Sequence, residues 1–517
     1  MTFTSGLKSL VLAALLGTAV TQAAVAAPTD RGITVALAVE LDSLDACDTQ
    51  PAQNANIARG NIYESLTHVS PVDGKIEPLL ALSWEQVDDL TWEFKLRPDV
   101  KFHDGSPFNA EVAAANINRS QPGAMIDGKE IACLNLTQFP EAVKAEVVDD
   151  LTLRVTTPKV DPILPLRLSF ADMGNLATQQ TAEKTTNPVG TGPYQFVERV
   201  QGQHVKLTRF DGYWREIPEV KDVTYVYRAE ASVRAGMIQT GEAQLATAIS
   251  AQDATDDGRT VTYKDNRIVI ARPNSFKEPF KDARVRQAVS YAIDRDTIVS
   301  ALMGIGGNPW YQMLGPQVNG YIPGFDDTDA LKYNPEKAKE LIAAAKAEGA
   351  PVDQEFVLVT RPDLFPGSDE VVQAIAQNLQ AVGLNPRILS LENTAWRVYL
   401  RQPFPDDQEG SITMISHDNT TGDATFSFSG NYATCKGRNS ATCNPEIDRL
   451  VFAADAAQGD ERAKLYQDAA RIMYTQESTM IGIAEQVRLM MLGQGIEYQP
   501  NPLSGIEIRI ADIKFSD

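Results

Sequence analysis

The sequence predicts an α/β fold divided into two or more lobes, and three observations carry that expectation. At 517 residues the chain is too long for one ordinary hydrophobic core. From Pro351 onward strand and helix patterns alternate: a strand over 354–360, a helix over about 368–382 stopping at Gly383, and a strand over 387–391. Such a β–α–β unit implies parallel strands in a doubly wound sheet. The stretch Ile412-Thr413-Met414-Ile415-Ser416-His417-Asp418-Asn419 reads as a β-branched strand of the same sheet, running into a polar turn. In open α/β sheets ligands sit in the crevice beyond the carboxyl ends of the strands. Asp418 falls at one such end, and Arg361 follows the strand Phe356–Val359 in the same way. An acid and a base so placed suit a ligand with opposite charges at its two ends.

Hydrophobic residues at 43% and charged residues at 22% are ordinary for a globular protein. The net charge of -21, without any basic run, argues against nucleic acid or an anionic membrane as partner. At the N-terminus Lys8 precedes the apolar run Leu10 to Val20, and Ala24-Val25-Ala26 supplies small residues at a cleavage spacing. Residues 1–26 therefore read as a secretory signal peptide. The run is too short to span a membrane, and no later stretch approaches the roughly 18 apolar residues a span needs, so the mature chain is expected to be exported without membrane insertion. Four cysteines then suit disulfides. Cys435 and Cys443 bracket the polar loop Lys436 to Ser440, which favours a local bridge and leaves Cys47 and Cys133. Four cysteines permit three connectivities, and spacing does not choose among them. No C-x-x-C occurs, and none of the four histidines stands at ligand spacing from a cysteine, so neither metal nor cofactor is expected.

Taken in order, Gly32 to Glu40 reads as a strand, Asp42 to Asp45 as a turn, and Asn61 to Leu66 as the end of a helix. In Leu90 to Leu96, Trp92, Phe94 and Leu96 share one face and Thr91, Glu93 and Lys95 the other, the pattern of a half-buried antiparallel strand. The turn His103-Asp104-Gly105-Ser106-Pro107 ends that region, and Asn109 caps a helix through Asn116. His103 and Asp104 read as a turn with internal hydrogen bonds rather than a catalytic pair. Gly190-Thr191-Gly192 lacks the lysine of a phosphate loop and precedes Pro193, so it reads as a strand-entry turn. Val285, Ala288, Val289, Ala292 and Ile293 form the stripe of an amphipathic helix. Asn334 caps another with Pro335 at its first position, closed by Gly349 and Pro351. Gly505 to Ile510 alternates and is read as a strand rejoining the first lobe's sheet.

Four of these stretches carry a resemblance. Trp92 to Gly105, Asn187 to Tyr194, Phe280 to Arg295 and Tyr333 to Ala338 closely resemble, in order, segments of the family 5 solute-binding proteins of bacterial ABC importers. The resemblance implies a two-lobe periplasmic binding protein-like fold of the cluster C type, with an extra subdomain in lobe 1 and a hinge between lobes. It implies lobe 1 over 27–270 with the subdomain at about 66–185, lobe 2 over 271–487, and a return to lobe 1 over 488–517. The crossings are expected near Ile268–Pro273 and Glu485–Leu489. The implied function is that of a monomeric, non-enzymatic periplasmic protein that captures a peptide or amino-acid conjugate and delivers it to ABC permease subunits.

The resemblance also assigns a site. Asp418 aligns with the aspartate that pairs with the ligand's α-ammonium in peptide-binding members, and the match extends to Gly422 and Asp423. It departs at His417, where glycine is common, and by the added Thr420-Thr421. Arg361, in Thr360-Arg361-Pro362, aligns with an arginine–proline pair that holds the ligand carboxylate in dipeptide-binding members. His417 and Asn419 flank Asp418 and are expected at the ligand. Trp396 resembles a cleft aromatic of the family, although a tryptophan on a helix stripe also suits a core. Asp423 is read as a loop cap, and Cys435 with Cys443 matches a disulfide loop of dipeptide-binding relatives. The competing class is a secreted hydrolase, but there is no G-x-S-x-G or H-E-x-x-H, and only His68, His103, His204 and His417 could serve as base. Binding of opines, sugar conjugates, nickel or haem also competes with peptide binding; sparse histidines do not favour the last two.

Overall fold

The computed structural model describes residue 1 and residues 30–516 apart from 51, 71–73, 136–138, 140, 329, 363, 366, 420 and 502–506. The expected signal segment, but for Met1, lies outside the described residues. The framework is an 11-stranded mixed sheet. Its order runs Tyr194–Val200, His204–Arg209, Asp222–Tyr227, Ile33–Leu37, Leu245–Ala246, Ile481–Leu492, Thr260–Pro273, Ser411–Asp418, Glu355–Thr360, Asn385–Ser390, with Gly307–Pro309 pairing Ile481–Leu492 off this path. Parallel pairing holds where crossovers demand it: Ile33–Leu37 with Asp222–Tyr227, and Glu355–Thr360 with both Asn385–Ser390 and Ser411–Asp418. The alternation read from Pro351 onward is thus present, with its helix at Ser368–Ala381.

Two long antiparallel strands, Thr260–Pro273 and Ile481–Leu492, join the halves. Each contributes to two separate hydrophobic cores. Tyr263, Met490 and Leu492 pack with Val35, Tyr194 and Tyr225. Ile268–Ala271 and Ile481, Ile483 and Ala484 pack with Phe280, Val357 and Met414. The change of core falls between Tyr263 and Ile268, where the pairing register shifts and Asn266 takes a left-handed φ of 55°. A residue in that conformation bends a strand locally.

A third core belongs to the antiparallel sheet Ala81–Asp88, Thr91–Leu96, Thr152–Thr156 and Lys144–Asp149, covered by the helix Ala110–Arg119. Phe94 and Leu96 are fully enclosed there, while Lys95 faces solvent. Asn109 caps the helix through the Val112 amide, and Asn334 caps Pro335–Ala347 through Lys337. Gly190 and Gly192 lie so close to the Ile62 and Asn61 carbonyls that a Cβ at either would overlap them, which is why the turn holds glycines.

Two local expectations are corrected. The helix before Asn61 ends at Ala58, and Asn61 to Leu66 is turn and coil. Asn61 explains this: its amide group bonds Ile508 O and the Ile510 amide, so long-range contacts replace a helical ladder. The alternating segment ending at Ile510 forms no strand over 507–510; Gly505 and Ile506 lie outside the described residues. Ile508 and Ile510 nevertheless enter the first core, and the only nearby pairing among the described residues is Lys514–Phe515 with Ile496–Glu497. Cys47 is bonded to Cys133 and Cys435 to Cys443.

Candidate functional site

The strand Ser411–Asp418 is buried on both faces over most of its length, as a strand inside a covered sheet must be. Thr413 sits against Val359 of the parallel neighbour, and Asp418 stands directly across from Arg267 on the crossing strand. The two side chains meet at 3.1 Å. The pair is part-exposed, at 27% for Arg267 and 35% for Asp418. It lies where the sheet opens into a cavity of about 930 Å³.

The cavity has two walls from separate cores. Phe139, Glu141, Val143, Lys159, Asp161 and Arg167 come from the antiparallel subdomain. His417, Asp418, Phe426, Arg438, Asp455 and Arg462 come from the half that contains the Ser411–Asp418 strand. The walls touch where the Arg167 guanidinium lies 5.0 Å from the Phe426 ring centre. Most of the charges are satisfied within their own wall. Arg167 bonds Asp161 at 2.6 Å and Lys159 bonds Glu141 at 2.7 Å. Arg462 grips both oxygens of Asp423, at 2.8 and 2.9 Å. Asp455 accepts from Thr425, Ser429 and Tyr466.

His417 and Asn419, both expected at the ligand, have prior engagements. The Ser427 hydroxyl donates to Asn419 Oδ1 at 2.9 Å, so its oxygen receives the His417 Nε2 proton at 2.8 Å. Asn419 in turn donates to Met313 O at 2.7 Å. Burial pushes the His417 pKa down to about 4, so the ring is neutral at pH 7. With its proton on Nε2, His417 cannot take one from Ser427, and Ser427 is itself buried. The serine–histidine contact is a packed network rather than a nucleophile and its base. His103 is similar: Nδ1 accepts from the Gly190 amide, Nε2 faces Gly192 O at 2.9 Å, and burial takes its pKa to about 4.

Of the five residues expected at the ligand, His417 and Asp418 line the cavity, and Arg361, Trp396 and Asn419 are not among its lining residues. Arg361 does follow the strand Glu355–Thr360, but its guanidinium lies 5.5 Å from the Trp396 ring. Trp396 is 7% exposed and donates to Met414 O, which makes it part of the core. Arg361, expected at the opposite end of the ligand from Asp418, stands beside Trp396 instead of lining the cavity, and the cation that meets Asp418 is Arg267. Sequence reasoning missed Arg267, whose pairing depends on the register of two strands 151 residues apart. It also missed Arg438, although the residue stands in the loop between Cys435 and Cys443. Asp423 caps its loop through the Thr425 amide at 2.9 Å, as the sequence suggested. Among the described residues no group of three His, Cys, Asp or Glu is placed to hold a metal ion, and no helix is long and apolar enough to cross a membrane.

Comparison with known proteins gives a consistent picture. The model for bacterial extracellular solute-binding proteins, family 5, matches residues 75–439. A glutathione-binding protein GsiB of Pectobacterium atrosepticum is 29% identical over 482 residues, covering 88% of this chain and 89% of the relative. The dipeptide-binding protein of Escherichia coli is 27% identical over 455 residues, covering 81% and 83%. Among solved structures, HbpA2 from Haemophilus parasuis superposes with a TM-score of 0.82 at 22% identity, over 94% of this chain and 100% of that one, a likeness of fold.

Proposed function

The chain belongs to family 5 of the bacterial extracellular solute-binding proteins, and from that premise we propose that its cargo is a short peptide or amino-acid conjugate whose ammonium group is held by Asp418. The protein captures a small ligand and delivers it to an ABC importer. Relatives named for glutathione and dipeptides support a ligand with an amino-acid backbone. The observation that carries the reading is Asp418 at the carboxyl end of a central strand, facing a cavity of about 930 Å³ walled by two separate cores. That volume lies within the range of small-ligand sites, about 300–1,000 Å³.

The division into 27–270 with 488–517 against 271–487 is supported by the separate cores, with the change of core at 264–267. We take residues 1–26 to be removed on export, which N-terminal sequencing of the mature protein checks. Binding without chemistry is supported by the engaged, neutral His417 beside Ser427. The test is to incubate purified protein with a mixture of di- and tripeptides, remove the unbound fraction and analyse what remains by mass spectrometry. Intact peptides are expected. Recovery of hydrolysis products, or of no peptide at all, sinks the reading.

A further inference from the structure

One carboxylate in the cavity wall has no cation of its own. Glu141 is met by Lys159, Asp161 by Arg167 and Asp418 by Arg267. Asp455 also lines the cavity, and it forms no ion pair among the described residues. Arg462 lies in the next helix, but its guanidinium is taken up by both oxygens of Asp423 and by the main-chain oxygens of Ala454 and Asp455.

Three hydroxyls hold Asp455 instead. Thr425 donates to its Oδ1 at 2.8 Å, Ser429 at 2.7 Å and Tyr466 at 2.6 Å. A carboxylate oxygen offers two lone pairs, so Oδ1 is filled, while Oδ2 accepts no hydrogen bond among the described residues. Neutral hydroxyls fix the direction of the group without cancelling its charge. Thr425 and Ser429 line the cavity as well, so the carboxylate is anchored at the wall itself.

Beside it stands an aromatic ring with the same outlook. Phe452 precedes Asp455 by three residues in the helix Pro445–Ala456, and both line the cavity. Residues three apart share a helix face. Phe452 is 54% exposed, so its ring is open to a partner. An exposed ring one turn from an uncompensated carboxylate suits a side chain that is apolar along its stem and positive at its tip, which is the chemistry of lysine and arginine.

We propose that Asp455 is a second cation site of the cavity, taking the side-chain ammonium or guanidinium of a basic residue whose stem lies along Phe452, so that the protein prefers basic peptides. The inference rests on Asp418 as the site of the α-ammonium. It adds a second positive group on the same ligand, read by a different carboxylate in the same wall.

Two measurements test the site. The first needs no peptide: Tm in 1,5-diaminopentane dihydrochloride against sodium chloride at equal ionic strength, for wild type, Asp418→Asn and Asp455→Asn. General screening of a chain of net charge -21 is common to all three proteins. The expected result is an extra rise in wild type and D418N that D455N lacks. The second is calorimetric titration with Ala-Lys and Ala-Ala-Lys and with their norleucine counterparts, which keep the stem and lack the ammonium. Wild type is expected to bind at least one lysine peptide about tenfold more tightly than its counterpart, and D455N to abolish that preference. Asp418→Asn should weaken lysine and norleucine peptides alike. Phe452→Ala removes an exposed ring and leaves the core intact; it should weaken both peptides and keep the preference. Equal diamine responses in wild type and D455N, no lysine preference among peptides that bind wild type, or a preference that survives D455N overturns the cation site. A diamine rise lost in D455N, alongside no binding of any of these peptides to wild type, supports the cation site and sinks the peptide reading of Asp418 instead.

Discussion

Asp418 meets a cation before any ligand arrives. Its pair with Arg267 is about one-third exposed, and pairs in that setting contribute about 0–1 kcal/mol. A ligand ammonium enclosed in the closed cavity therefore competes with a weak contact, and the carboxylate remains the charge that the ligand reads. Replacing Asp418 with Asn is expected to weaken a free-amino peptide by about a hundredfold, near 3 kcal/mol, and to leave the weak binding of its N-acetylated form where it was. Titration of both peptides against both proteins decides it; equal losses sink the ammonium role. The buried histidines have a different consequence. His103 and His417 have pKa values pushed down to about 4, against about 6.5 in an unfolded chain. Between those values the unfolded state takes up protons that the native state refuses. Their contribution is thus complete above pH 6.5 and is lost as pH falls towards 4. Each should add about 1.4 kcal/mol per pH unit to the slope of stability in that window. Denaturant unfolding from pH 6.5 to 5 should show that slope reduced by one proton in His103→Gln, and an unchanged slope counts against a neutral, buried ring.

At the scale of elements, the loop after the Ser411–Asp418 strand is held by a carboxylate in addition to its backbone hydrogen bonds with Asn319 and Asn266. Asp423 receives Arg462 on both oxygens, the Thr425 amide and the Asn319 side chain, and both members of the ion pair are almost fully buried. Arg462 lies in the helix Gly459–Arg471, so this one contact ties the loop that carries Phe426 to a helix of the same wall. Breaking a buried pair from one side strands the other charge, at a cost of about 3–5 kcal/mol. Arg462→Met should lose that much in urea unfolding, whereas the double change Arg462→Met with Asp423→Asn should recover part of it. No recovery in the double variant would mean that the pair is not the unit that matters.

For the molecule as a whole, two strands carry the connection between the cores, and the register shift around Asn266 places the bend beside Arg267 and Asp418. The two walls touch where Arg167 lies over Phe426, and the antiparallel subdomain meets the other half again where Gln458 bonds Gln86. A cation–aromatic contact of this kind is worth about 0.5–2 kcal/mol. Phe426→Ala should move the ligand-free protein towards an open form by about that amount, seen as a larger radius in small-angle scattering and faster ligand release in stopped flow. A radius equal to that of the wild type would remove the contact from any role in closure.

What the sequence determined by itself is the part written in local pattern: the α/β class, the β–α–β unit after Pro351, the caps at Asn109 and Asn334, and the strand that delivers Asp418. Periodicity and capping act over a few residues, so they survive without knowledge of the path of the chain. The tertiary structure decided which groups meet across that path. It put Arg267 against Asp418, set Arg361 beside Trp396, sent Trp396 into the core, and brought Arg438 beside Gln402, just past the helix Asn393–Leu400. Those outcomes depend on strand register and on the packing of segments far apart in sequence, which no local pattern encodes.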